Sequence, residues 1–154
     1  MDKNELNIPN KDYYKPMHTA EHLLNQTMIR MFGCGRSPNA HIEQKKSKCD
    51  YTLNEAPSPD KIAEIEKRVN EAIDSDLPVK AEFMSRQEAA KLFDLSRLPS
   101  AAGETLCIVS IGDYDVCPCI GEHVENTAEI GHFKIISSDF ENRRLRIRFK
   151  LINP

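Results

Sequence analysis

Two short signatures about a hundred residues apart constrain this chain more than any other feature: His18-Thr19-Ala20-Glu21-His22 near the start and Cys119-Ile120-Gly121-Glu122-His123 near the end. A helix repeats about every 3.6 residues, so His18 and His22 on a helix would point two imidazoles the same way. Cys119 and His123 repeat that spacing with thiolate and imidazole, the donors zinc prefers. Neither pair completes a tetrahedral shell. One site built from both requires the fold to bring the two ends of the chain together, and that is the expectation: one zinc per chain on His18, His22, Cys119 and His123. Cys117-Pro118-Cys119 leaves open which thiol binds, with the spacing to His123 favouring Cys119. His41 and His132 read as structural or solvent-facing.

The local pattern dictates what carries the signatures. Met17, Leu23, Leu24, Met28, Met31 and Phe32 recur at helical intervals, and Gly33 supplies a stop, so the histidine pair rides on a helix. Gly33 to Asn39 reads as a loop, and Cys49, Tyr51 and Leu53 alternate with polar residues as in a half-buried strand. Ser58-Pro59-Asp60 starts a second helix with the apolar stripe Ile62, Ile65, Val69 and Ile73. Val79 to Met84 reads as a strand, Ser85 with Glu88 as the capping signal of a helix through about Phe93, and Leu98 to Glu104 as a surface loop. Leu106 to Ile111 is a compact apolar strand. Phe133 to Ile136 and Leu145 to Leu151 suggest two antiparallel strands joined near Ser138 to Asn142. The order predicts an α+β fold, an antiparallel sheet with helices packed on one side, in a single domain over 1–154 whose first 15 residues are a polar lead-in from which Tyr13 and Tyr14 begin to pack.

Composition narrows the partners. No apolar run is long enough to cross a bilayer, and Met1 to Asn10 lack the basic start and apolar middle of a secretory signal, so a cytoplasmic location is expected. Five cysteines without an export signal argue for reduced thiols rather than a disulfide framework, with Cys34, Cys49 and Cys107 as buried small residues. A net charge of −3 leaves nucleic-acid binding to a local basic patch. Arg144, Arg146, Arg148 and Lys150, on one face of the last strand, are the candidate phosphate contacts, although an exposed strand face needs such charges anyway.

Beyond the ligand pairs, Thr127-Ala128-Glu129-Ile130-Gly131-His132-Phe133-Lys134-Ile135 follows the downstream pair. This combination resembles the AlaX family, relatives of the editing domain of alanyl-tRNA synthetase, over about residues 15 to 152, and most closely its short members. One difference is that synthetase editing domains usually have Gly-Gly-Thr where this chain has Ile120-Gly121-Glu122. The resemblance implies a zinc-dependent deacylase acting on misacylated tRNA(Ala) at its acceptor end, chiefly seryl and possibly glycyl, with no obligate protein partner. Such editing answers a physical limit, since a synthetase pocket cannot exclude a smaller residue or strongly reject an added hydroxyl. It also implies Ser37, Gly121 and Thr127 as substrate-binding residues, with Thr19 and Thr27 as rivals to Ser37 for a serine hydroxyl.

Two other function classes stay open. His18-Thr19-Ala20-Glu21-His22 matches the H-x-x-E-H pattern of inverted zinc peptidases, which leaves Cys119 and His123 unexplained. A non-catalytic zinc-stabilised RNA-binding module would keep the site without hydrolysis. Four protein ligands describe a closed zinc, whereas catalytic sites keep a position open. Glu21 is the obvious general base, but it is expected to point about 100° away from His22 on the helix.

Overall fold

The computed structural model describes residues 14–93, 104–119 and 121–152. The polar lead-in through residue 13 and residues 98–103 of the expected surface loop lie outside them. Helix α1 (Lys15–Phe32) has Pro16 in its first turn and ends where Gly33 adopts φ 68°, a left-handed conformation open to glycine, with its N–H donating to the carbonyl of Ile29 at 2.9 Å. Strand β1 (Asn39–His41) is a short edge piece that begins at the last residue of the expected Gly33 to Asn39 loop, and β2 (Ser47–Thr52) follows. Helix α2 (Pro59–Asp74) begins as its sequence predicts: Ser58 accepts from the Lys61 N–H at 3.3 Å, Pro59 opens the first turn, and Ile65, Val69 and Ile73 are buried. Strand β3 (Val79–Ser85) runs into α3 (Arg86–Leu92), which Ser85 caps by accepting from the Glu88 N–H at 3.1 Å.

Strands β4 (Thr105–Ile111) and β5 (Asp115–Pro118) precede a 3-10 turn at Thr127–Ile130, then β6 (His132–Glu141) and β7 (Arg144–Ile152). The expected terminal hairpin is present, with its turn at Asn142-Arg143, both at positive φ, as a tight two-residue hairpin loop requires. Ile136 is the extra residue of a bulge between Ile135 and Ser137.

The chain is α+β, with a division the sequence did not announce: two antiparallel sheets, one ordered β1-β2-β7-β6 and one ordered β3-β4-β5. Helices α1 and α2 cover one face of the four-stranded sheet, where Met17, Leu23, Leu24, Ile65, Val69, Tyr51, Phe133, Leu145, Ile147 and Phe149 form a single core. Each large side chain buried there contributes roughly 1.5–3 kcal/mol. A satellite core of Ala89, Leu106 and Ile108 joins α3 to the smaller sheet. Between the sheets runs α1. Tyr114, in the turn from β4 to β5, is held by the Thr27 hydroxyl and lies under the Arg30 guanidinium, 4.2 Å from its ring centre. That grip lays β5 along the helix that carries the histidines. No helix among the described residues is long and apolar enough to cross a membrane.

Candidate metal centre

Strand alternation aims the C-terminal half of the site. Asp115, Cys117 and Cys119 occupy every second position and are buried, while Val116 between them is 46% exposed. All three therefore point at α1, from which His18 and His22 face them one turn apart. The downstream pair, by contrast, is not helical. Cys119 follows β5, and Gly121 to Val124 form an irregular segment that folds His123 back over the thiol. The four-residue spacing of Cys119 and His123 is thus met by a loop, not by the helical face their spacing imitates.

The structure brings His18, His22, Cys119 and His123 together, one donor atom from each lying within 4.8 Å of the others. Cys119 Sγ is 3.6 Å from His18 Nε2 and 3.4 Å from His123 Nε2. The His18 and His123 rings stack with centres 4.4 Å apart. Cys117 lies elsewhere: its sulfur is 3.2 Å from His22 Nδ1 and groups with Asp115 on the far side of that ring. The choice between the two thiols is made by the strand, which places Cys119 among the imidazoles and Cys117 behind one of them. All five cysteines are free thiols.

Each imidazole is held through its other nitrogen. His18 Nδ1 is 3.1 Å from the Glu122 carbonyl, His123 Nδ1 is 3.0 Å from Thr19 Oγ1, and His22 Nδ1 is 3.3 Å from Asp115 Oδ2. Thr19 donates to the Lys15 carbonyl, so it accepts from His123 and from the Val124 N–H. With Nδ1 engaged on all three rings, Nε2 is the nitrogen each ring would offer to a metal. Three nitrogen donors and one sulfur, each ring oriented by an outer partner, fit a tetrahedral zinc ion.

The electrostatics of Cys119 and His123 suit that donor set. Burial pushes the Cys119 thiol up, but its contacts with the imidazoles of His123, His18 and His22 outweigh it and bring it down to about 3, which favours the thiolate. Burial, with the charges of His22 and His18, brings His123 down to about 4 and keeps it neutral. Burial likewise lowers His22, yet its bonds to Asp115, Cys117 and Cys119 carry it well above the ordinary imidazole value. Asp115 is pushed up by burial and brought to about 2 by His22 and Arg36.

Several of these residues escaped the sequence reading. Asp115 has a fully buried side chain that accepts from Gln26 Nε2 at 2.8 Å and forms an ion pair with Arg36. Its signal was the alternation of Asp115, Cys117 and Cys119, which identifies a buried strand face. Glu21 is closer than its helical angle suggested: its flexible side chain brings the carboxylate to 3.8 Å from His18 Nε2. Burial raises its pKa.

Other expected contacts are placed differently. The Ser37 hydroxyl donates to the Asn39 carbonyl at 3.0 Å and accepts from the Asp50 N–H at 3.2 Å, so it shapes the turn into β1. Thr127 is fully buried, its hydroxyl donating toward Ala72 and Ile73 and accepting from the Leu77 N–H at 2.8 Å, which ties the 3-10 turn to the end of α2. Thr27 bonds the Leu23 carbonyl and Tyr114. Gly121 does belong to the centre, by steric necessity: a Cβ there would fall 1.9 Å from His18 Cε1. His41 and His132 are exposed, as expected.

Arg144, Arg146, Arg148 and Lys150 share the open face of β7, but two are engaged. Arg146 makes a paired contact with Asp50 at 2.8 and 3.0 Å, and Arg148 pairs with Asp139 at 2.7 Å. Arg144 and Lys150 are exposed.

Comparison with known proteins locates the same region. Residues 106–147, which include Cys119 and His123 but neither histidine of α1, match the family described as the threonyl and alanyl tRNA synthetase second additional domain. The alanine–tRNA ligase of Methanococcus vannielii is 34% identical over 140 residues, covering 89% of this chain and 16% of that protein. That of Caldivirga maquilingensis is 38% identical over 130 residues, covering 80% of this chain and 14% of the protein. That of Leptospira biflexa is 32% identical, covering 92% of this chain and 16% of the protein. The chain therefore spans about a sixth of the length of these curated relatives. Their aligned stretch extends well beyond residues 106–147, and over it the chain is a relative of the alanine–tRNA ligases, sharing with them the region described as the second additional domain of threonyl and alanyl tRNA synthetases.

Proposed function

We propose that this chain is a zinc-dependent deacylase that hydrolyses misacylated tRNA(Ala), with seryl esters as the principal substrate and glycyl esters as a second. The observation that carries the reading is the preorganised donor set: three imidazoles, each fixed through Nδ1, around one thiolate, in a relative of alanyl-tRNA synthetases. His18, His22, Cys119 and His123 would hold the ion. A zinc ion held there would supply Lewis acidity, polarising an ester carbonyl or lowering the pKa of a water to about 7.

The chain's own groups do the rest. Asp115, backed by Arg36 and Gln26, fixes the ring of His22, and Thr19 fixes that of His123. Glu21, whose carboxylate lies 3.8 Å from His18 Nε2, would be the side chain placed to accept a hydrogen bond from a water entering the centre. Arg144 and Lys150 attract phosphates of the acceptor end, weakly and with strong dependence on salt. The peptidase reading gains from the approach of Glu21 to His18, yet it gives no part to Cys119 and His123, which lie in the same cluster. Incubation with seryl-tRNA(Ala), alanyl-tRNA(Ala) and a peptide panel separates the readings. Release of serine alone, lost together with bound metal in Cys119→Ala, is expected; peptide cleavage, or full deacylation by the metal-free variant, overturns the proposal.

A further inference from the structure

Phe83 is the most exposed large apolar side chain among the described residues, at 76%. It stands near the middle of β3, where an aromatic ring ordinarily seeks cover. Its position in the smaller sheet is specific. Phe83 is the direct cross-strand partner of Cys107, and the Cys107 carbonyl accepts from the Cys119 N–H at 3.0 Å, so the three residues form one row across three chain segments. Direct partners in an antiparallel ladder share a face. Phe83 is therefore on the same face as Cys119, and two strand spacings, about 10 Å, separate their backbones.

The neighbours keep the ring open. Along β3 its immediate neighbours on that face are Ala81 and Ser85, both small and exposed. Its lateral neighbour Cys107 is small and only partly covered. The opposite face of β3 behaves normally, since Met84 there packs on the satellite core with α3. The row that begins at Cys119 thus ends in an exposed aromatic ring.

We propose that Phe83 is a stacking platform for the terminal base of a single-stranded acceptor end, seating that nucleoside while its ester reaches the centre. This rests on the deacylase reading. Ester and base hang from the same ribose, so a base seated one or two strand spacings from Cys119 leaves the ester within reach of the donor set. Stacking suits the task because every base has an aromatic face, and a flat unpaired ring binds an unpaired base without a built hydrogen-bonding pocket. Phe83 touches no reacting atom; it positions.

The test uses an acceptor-stem RNA hairpin carrying 2-aminopurine in place of its terminal adenine, whose fluorescence is quenched on stacking. Quenching is expected with the unaltered protein and with Phe83→Trp. Phe83→Ala should lose the quench and bind about tenfold more weakly, with metal content and circular dichroism unchanged. In deacylation, Phe83→Ala should raise KM for aminoacyl-tRNA and leave hydrolysis of a serine methyl ester unaltered. A Phe83-dependent quench in a protein that deacylates nothing supports the platform and refutes the deacylase. Deacylation with a quench that is absent, or indifferent to Phe83, refutes the platform and leaves the deacylase standing. A Phe83→Ala change that instead dissociates a dimer assigns the ring to a contact between copies of the chain and overturns the proposal.

Discussion

Asp115 Oδ2 lies 3.3 Å from His22 Nδ1, joining the first residue of a short strand to the middle of a helix 93 positions earlier. The carboxylate fixes the tautomer and ring orientation of an imidazole whose other nitrogen faces the donor cluster. Asp115→Asn keeps the volume and removes the charge. Its metal affinity is expected to fall about 10- to 100-fold, read by competition with a chromogenic chelator. Unchanged affinity in a folded variant would show that His22 needs no such support.

The two thiols of Cys117-Pro118-Cys119 should behave differently. Cys119→Ser is expected to lose bound metal, because the sulfur among the three imidazoles is gone. Cys117→Ser should retain one metal per chain, since its sulfur lies behind His22. Metal content by atomic absorption decides the pair, and the reverse pattern would move the ligand to Cys117.

Thr127 separates a structural hydroxyl from a substrate contact. It is fully buried and bonded to backbone groups of α2 and of Leu77. Thr127→Val should cost about 1–3 kcal/mol of stability, measured by urea unfolding, as buried backbone groups lose their partner. KM for an aminoacyl-tRNA should stay unchanged; a selective rise in KM with normal stability would restore Thr127 to the substrate pocket.

Asp50 and Arg146 face each other across β2 and β7. Hydrogen bonding from Arg146 holds the Asp50 carboxyl below the usual carboxylate range. A carboxyl depressed in the folded state contributes stability above its unfolded value of about 3.9 and loses it as pH falls through the folded value. Asp50→Asn should therefore lower the urea midpoint at pH 7, and its deficit relative to the parent chain should shrink as pH falls below 4. A deficit constant down to pH 2 would contradict the ion pair's contribution.

How much of this was legible beforehand depended on the range of the interaction. Ser58-Pro59-Asp60, the stop at Gly33 and the Ser85 cap are local chemistry, and those helices begin or end where the residues dictate. The four candidate donors that the fold brings together were legible too, because so few side chains serve as zinc donors. Asp115 was not. A lone aspartate after a turn looks solvent-facing until the alternation through Cys117 and Cys119 is set against α1. Strand β1 was missed because three exposed residues carry no burial pattern.

The amino-acid sequence by itself determined the helices, the terminal hairpin and the four candidate donors, since each rests on contacts within a few residues or on irreplaceable side-chain chemistry. Only the tertiary structure decided that Cys119 rather than Cys117 enters the cluster, that Ser37 and Thr127 bond the backbone, and that Phe83 shares a row with Cys119. Those outcomes depend on strand register and on β5 docking along α1. A one-residue slip in register would turn every side chain of the strand to the other face.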